Sequence, residues 1–239
     1  MPGRIQRRGR LHRESHRSGR AAWLRAAVLG SDDAIVSTAS LMIGVASSAA
    51  SDDAVLVAGV AALVAGAMSM AAGEYLSVSS QRDAERADVE RERQELSAQP
   101  REELNELAMI YVKRGVASEL AIRVAEQLSA HDALGAHMRD ELGIVQGTLA
   151  RPFQAAWISA ASFAGFALLP IAALLIAPSA SSVPVIAAVS LLSLAALGAL
   201  GAQLGGAPRG RAVLRVTLGG AAAMVVTAAV GRILGVVAG

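Results

Sequence analysis

The chain contains no cysteine, which excludes disulfides and thiolate metal sites; any metal it holds is bound by oxygen, imidazole or thioether. Aromatics are almost as scarce. Phe, Tyr and Trp make up 3% of the 239 residues, although 54% of the chain is hydrophobic. A water-soluble core of this size normally draws more of its volume from aromatic rings. Ala, Val, Leu and Gly in their place suit helices that pack closely through small residues in lipid. Negative charge is missing from one whole end: no carboxylate side chain follows Glu141, while residues 81–145 hold fourteen of the twenty acidic residues. The net charge of +2 therefore conceals a segregation, with eight arginines and a single glutamate in residues 1–25.

That basic start, residues 1–23, is read as a disordered cytoplasmic tail that helps fix orientation, not as a nucleic-acid-binding arm. Nor does it lead into a cleavable signal peptide, because the next apolar run has no convincing cleavage site and contains Asp32 and Asp33. A bilayer span needs roughly 20 apolar residues. Five stretches qualify: 24–48, 54–79, 153–177, 183–204 and 212–237. Arginines concentrate in the tail, in 81–151 and at Arg209, Arg211 and Arg215, whereas the 49–53 and 178–184 loops have none. Positive charge marks the cytoplasmic side, so five spans put the N-terminus inside and the C-terminus outside. The expectation is an all-α membrane protein: a tail (1–23), spans one and two (24–79), a cytoplasmic helical domain (80–150) and spans three to five (151–239).

The organising stretch is VAGAMSMAAGEYLSVSSQRDAERADVERERQELSAQPREELNE, from Val64 to Glu106. Neither proline nor glycine occurs between Gly73 and Ala98, so one helix is expected to leave the membrane and continue into water. A second helix is expected from about Arg101 to Arg114, closed by Gly115. A third is expected from an N-cap at Ser118 to Leu142, ended by Gly143, with a kink near Ser129 or Gly135. Leu104, Leu107, Ile110, Leu120, Val124 and Leu128 would supply its packing face.

Asp33 stands about nine residues into the first span, roughly 14 Å deep at 1.5 Å per residue. A carboxylate there costs about 3 kcal/mol or more, and such residues usually line a pathway. Asp32 points about 100° away and is the weaker candidate. Met70, with Met68 beside it, offers a soft thioether suited to a transition metal in transit, and Glu74 follows Met70 by one turn. In the insert, Glu92 and Glu95, and again Glu103 and Glu106, are spaced i, i+3, while His137 and Glu141 are spaced i, i+4 with Met138 alongside. These spacings put each pair on one helix face. Such faces are also common as solvated surface, so spacing alone leaves metal binding open.

The motifs GSDDAIVSTASLMIGV, AGAMSMAAGEYLSVSSQRD and HMRDELG resemble the vacuolar iron transporter (VIT) family, and the resemblance extends over about residues 24–239. It implies a five-span homodimer in the bilayer that exports Fe²⁺, and often Mn²⁺, from the cytoplasm in exchange for protons; Co²⁺ and Zn²⁺ are left open as further cargo, and no permanently bound cofactor is expected. It implies a translocation path through Asp33 and Met70, and a three-helix metal-binding insert using Glu92, Glu95, Glu103, Glu106 and Glu141, with His137 and Met138 at the remaining ligand positions. Ala34 and Ala62 depart from the pattern, standing where the family often has a glycine and where some eukaryotic members have a further glutamate. The composition suits a high-GC bacterium, hence an inner (plasma) membrane. A rival reading is a membrane metal sensor or scaffold that binds ions without moving them.

Overall fold

The computed structural model describes residues 21–144, 150–178 and 181–238. The arginine-rich tail up to residue 20, the end of the insert at 145–149, residues 179–180 of the loop before Ser182, and residue 239 lie outside the described residues. Within them the chain is helical throughout: α1 (Ala21–Ser47), α2 (Asp52–Ala98), α3 (Pro100–Lys113), α4 (Ser118–Asp140), α5 (Pro152–Ile176), α6 (Ser182–Gly205) and α7 (Arg209–Ala238). The chain divides into two compact units, one of residues 1–64 and 162–239 and one of residues 65–161.

Among the described residues, α2, α5, α6 and α7 are long and apolar enough to cross a membrane. At 27 residues α1 is equally long. Asp32 and Asp33 lie in its first half. In the first unit α1 packs against α6 and α7, and α6 against α7. Ile35, Ala39, Met42 and Ile43 of α1 meet Ile171 and Leu174 of α5, Ile186 and Leu194 of α6 and Met224 of α7 in its core. On α6 the buried positions Ser182, Ile186, Ser190, Leu194, Gly198 and Ala202 recur every fourth residue, one straight stripe down the helix. Glycine lets α1 and α7 touch backbone to backbone. A Cβ on Gly231 would collide with the Gly44 carbonyl, and one on Gly235 would come within 2.8 Å of Ser48 Cα.

The second unit is built around the α3–α4 pair. Leu107, Ala108, Ala125 and Ala136 form its core, with Leu104, Ile110, Tyr111 and Leu128 packed on it. Leu120, expected on the packing face, is exposed, and alanines supply much of the buried surface instead. Small residues let two helices approach closely enough that fewer large ones are needed. No α2 residue belongs to this core. The 47-residue α2 runs unbroken to Ala98, as the absence of breakers predicts.

α3 ends in a left-handed turn: Gly115 has φ +95°, its N–H reaches Val112 O, and the Val116 N–H reaches Tyr111 O. α4 differs from expectation at two points. Its N-cap is Ala117, so Ser118 is the first helical residue and caps nothing. The kink falls at Asp132 (φ −162°, ψ 89°), between the two expected sites. Asp132 Oδ1 accepts the Gly135 N–H at 2.9 Å, which recaps the chain as a short second helix.

Candidate metal centre

That short second helix carries His137 and Glu141 one turn apart, and the cap at Asp132 sets its phase. His137 is fully buried. Its Nδ1 lies 2.9 Å from Glu141 Oε2, 2.9 Å from Glu92 Oε1 of α2 and 3.8 Å from Glu103 Oε2 of α3. Three helices thus converge on one imidazole nitrogen. Donor atoms of Glu92, His137 and Glu141 all lie within 4.8 Å of one another. Opposed ligands of a first-row metal stand about 4 Å apart, twice a metal–ligand bond of about 2.1 Å, so the group is nearly closed to coordination spacing.

The electrostatics point the same way. Nδ1 of His137 stands 2.9 Å from both Glu141 Oε2 and Glu92 Oε1, and one ring nitrogen carries at most one N–H, so it can serve only one of them as a donor. Glu92 Oε1, at the same distance, makes no hydrogen bond although Glu92 is 3% exposed; buried His137 Nε2 also has no partner. A buried carboxylate oxygen without a donor is costly. Burial and the charge of Glu141, with Glu103 and Glu95 adding to it, push the Glu92 carboxyl up to about 7. Burial and the neighbouring Glu106 raise Glu103 as well. A divalent cation among these oxygens would supply the missing positive charge and the missing partner together.

The seven residues read from the sequence as metal ligands therefore separate. Glu92, Glu103, His137 and Glu141 are brought together. Glu95 and Glu106 are exposed and act on the cluster through their charge. Met138 is buried, but as the next residue on the helix it points about 100° away from His137. Elsewhere in this unit Met68 is exposed, and Met70 and Glu74 are half-buried on α2. In the other unit Asp33 is exposed and Asp32 half-buried, with Oδ1 of Asp32 buried and unbonded. Ser37 Oγ donates to Asp33 O at 2.6 Å, so that hydroxyl serves its own helix. Ala34 is fully buried and Ala62 half-buried.

One group escaped the sequence reading. Asp140 Oδ2 accepts the Tyr111 hydroxyl at 2.7 Å and Arg139 Nη2 at 2.9 Å. Arg114 Nη2 donates to the Asp140 carbonyl at 3.1 Å and its guanidinium lies 5.6 Å from the centre of the Tyr111 ring. Donation from Arg139, then from Tyr111, holds the Asp140 carboxyl below its usual range. Asp140 follows His137 by three residues, so spacing alone does not separate it from the His137–Glu141 face; its turn toward Tyr111 and Arg114 shows only in the structure.

Residues 24–232 match the VIT family. The chain is 48% identical to a vacuolar iron transporter of Acanthamoeba castellanii over 221 residues, covering 91% of this chain and 82% of that protein. It is 38% identical to vacuolar iron transporter homolog 1 of Oryza sativa subsp. japonica over 217 residues, 90% of this chain and 75% of the relative. Its identity to VIT-like transporter 1b of Glycine max is 36%, over 90% of this chain and 78% of the relative.

Proposed function

The chain belongs to the VIT family, and from that premise we propose that it exports Fe²⁺, with Mn²⁺ as a second substrate, from the cytoplasm in exchange for protons. It is an integral membrane transporter and not an enzyme. The observation that carries the reading is the cluster of Glu92, Glu103 and Glu141 around buried His137, with a buried carboxylate oxygen that accepts no hydrogen bond. It is a loading site for cargo: strong enough to strip part of a hydration shell, and open enough at Glu141, whose side chain is 27% exposed, to let the ion go. Co²⁺ and Zn²⁺ satisfy the same donors.

In this reading α1 is also a span, the first of five, and it carries Asp32 and Asp33 into the membrane. Its packing against α6 and α7 supports that placement. Met70 and Asp33, from each of two subunits, pass the ion across, with Met68 and Glu74 on the approach. Protonation of Asp33 from outside releases metal and returns a proton, because metal and proton compete for the same lone pairs. The arginine distribution supports an N-terminus in the cytoplasm and a C-terminus outside, and the alanine- and arginine-rich composition supports a bacterial inner membrane.

The test is flux into sealed proteoliposomes of Fe²⁺ and Mn²⁺, with and without an imposed pH gradient. Uptake that accelerates with acid on the trans side is expected. Metal binding without any flux overturns the reading in favour of a sensor or scaffold.

A further inference from the structure

Three carboxylates alone make an oxygen site, and oxygen sites suit Mg²⁺ and Ca²⁺ as readily as transition metals. A cytoplasmic loading site built that way would stand filled with the commoner hard ions. Among the four residues that converge here, one donor is not oxygen: His137 Nδ1, fully buried and within 2.9 Å of carboxylate oxygens from both α2 and α4. Imidazole is a good ligand for Fe²⁺, Co²⁺ and Zn²⁺ and a poor one for Mg²⁺ and Ca²⁺. Its burial adds a second discrimination, since Mg²⁺ dehydrates reluctantly and usually keeps several waters. The ring has little freedom to withdraw. Asp132 caps the helix that bears it, and Asp140 ties that helix to Tyr111 and Arg114.

We propose that His137 is the selectivity determinant of this cluster, the one nitrogen that converts a hard oxygen site into one that takes first-row transition metals ahead of Mg²⁺ and Ca²⁺. The proposal rests on the cluster being the cargo-binding site. Within the first row, nitrogen ligation favours Co²⁺ and Zn²⁺ over Mn²⁺ in the usual order of divalent affinities. Mn²⁺ is then the transition metal least dependent on His137.

The experiment uses the full chain in detergent, titrated with Co²⁺ by its visible absorption in the presence of excess Mg²⁺ or Ca²⁺. His137→Gln keeps the side-chain size and offers oxygen in place of the ring nitrogen. Co²⁺ affinity should fall about tenfold or more, at least the loss typical of removing an outer partner of a metal ligand. Mg²⁺ affinity should change by less than about threefold, so that Mg²⁺ now displaces Co²⁺. Met138→Leu should leave the preference intact. Equal weakening of Co²⁺ and Mg²⁺ by His137→Gln overturns the proposal, as does loss of preference in Met138→Leu instead. Should His137→Gln fail to fold, the unmodified protein decides alone: a Co²⁺ preference over Mg²⁺ below about tenfold sinks the idea. If the unmodified protein binds no Co²⁺ at all, the failure belongs to the reading of the cluster as a metal site.

Discussion

Tyr111 donates its hydroxyl to Asp140 Oδ2 across 2.7 Å, which ties the end of α3 to the turn that bears His137 and Glu141. Asp140 contributes nothing to the metal cluster directly; it holds the helix that does. Tyr111→Phe deletes that hydrogen bond and keeps the ring beneath Arg114. A single net hydrogen bond is worth about 1 kcal/mol, so the α3–α4 pair should lose roughly that much stability. Co²⁺ affinity should drop severalfold with stoichiometry unchanged, because the ligands remain and only their placement loosens. Thermal denaturation and metal titration of the full chain read the two effects. Unaltered affinity with lowered stability would mean the pair braces the fold alone.

The raised carboxyls give the cluster a defined pH response. Glu92 is pushed from 4.5 to about 7, so between those values the folded unit holds a proton that the unfolded chain has released. Without metal, stability should therefore fall as pH rises through that window, and Glu103, also raised, acts in the same direction. Metal binding runs the opposite way. The ion needs the carboxylate, so affinity should climb with pH, up to about tenfold per unit for one displaced proton, and level off above about pH 7. Glu92→Gln should flatten both dependences. Metal affinity that stays constant from pH 5.5 to 8 would contradict this assignment.

Much of this was legible in the sequence, and for identifiable reasons. Helix extents follow from hydrophobic runs and from where breakers stand: the stretch from Gly73 to Ala98 lacks them, and α2 continues through it. The i, i+3 and i, i+4 spacings put acids on shared faces. What spacing could not supply was which face meets which. Glu92 and Glu103 turn inward while Glu95 and Glu106, one turn along on the same helices, stay in solvent. That choice is made by the approach of α4 to α2 and α3, a tertiary fact. The kink expected near Ser129 or Gly135 falls instead at Asp132, an aspartate that within a helical pattern reads as surface charge. Its capping of the Gly135 N–H shows only in the backbone.

Close packing of α1 against α7 makes a second kind of prediction. Gly231→Ala places a methyl group against the Gly44 carbonyl, backbone that cannot swing aside. Overpacking of this sort costs about 1–3 kcal/mol. Gly219, on the same helix, has open space within 4 Å of where a methyl group would sit, so Gly219→Ala should be neutral or slightly stabilising. Melting of the two variants in detergent, side by side, separates a close contact from a general dislike of alanine in α7. Equal melting temperatures would show that the helices yield at this crossing.

Asp33 is where the proposed mechanism is most exposed. It is exposed on α1, while Asp32 is half-buried with an unbonded oxygen inside the first unit. The two neighbours thus differ in what they can reach. Under the proposed mechanism a transported ion meets Asp33, whereas Asp32 is half-buried. Asp33→Asn keeps the shape and removes the group that alternates between metal-bound and protonated states. Flux should then fall to near background, while the Glu92–His137 cluster still loads Co²⁺ with unchanged affinity. Asp33→Glu retains a titratable carboxylate displaced by one methylene, so partial, proton-dependent flux should survive. Asp32→Asn should leave flux largely intact and alter stability instead, since an amide supplies a donor as well as an acceptor to a buried site. Vesicle uptake and detergent melting on these three variants give the answer. Proton-coupled flux at the unmodified level in Asp33→Asn would make this aspartate structural and move the search for the coupling carboxylate to Glu74.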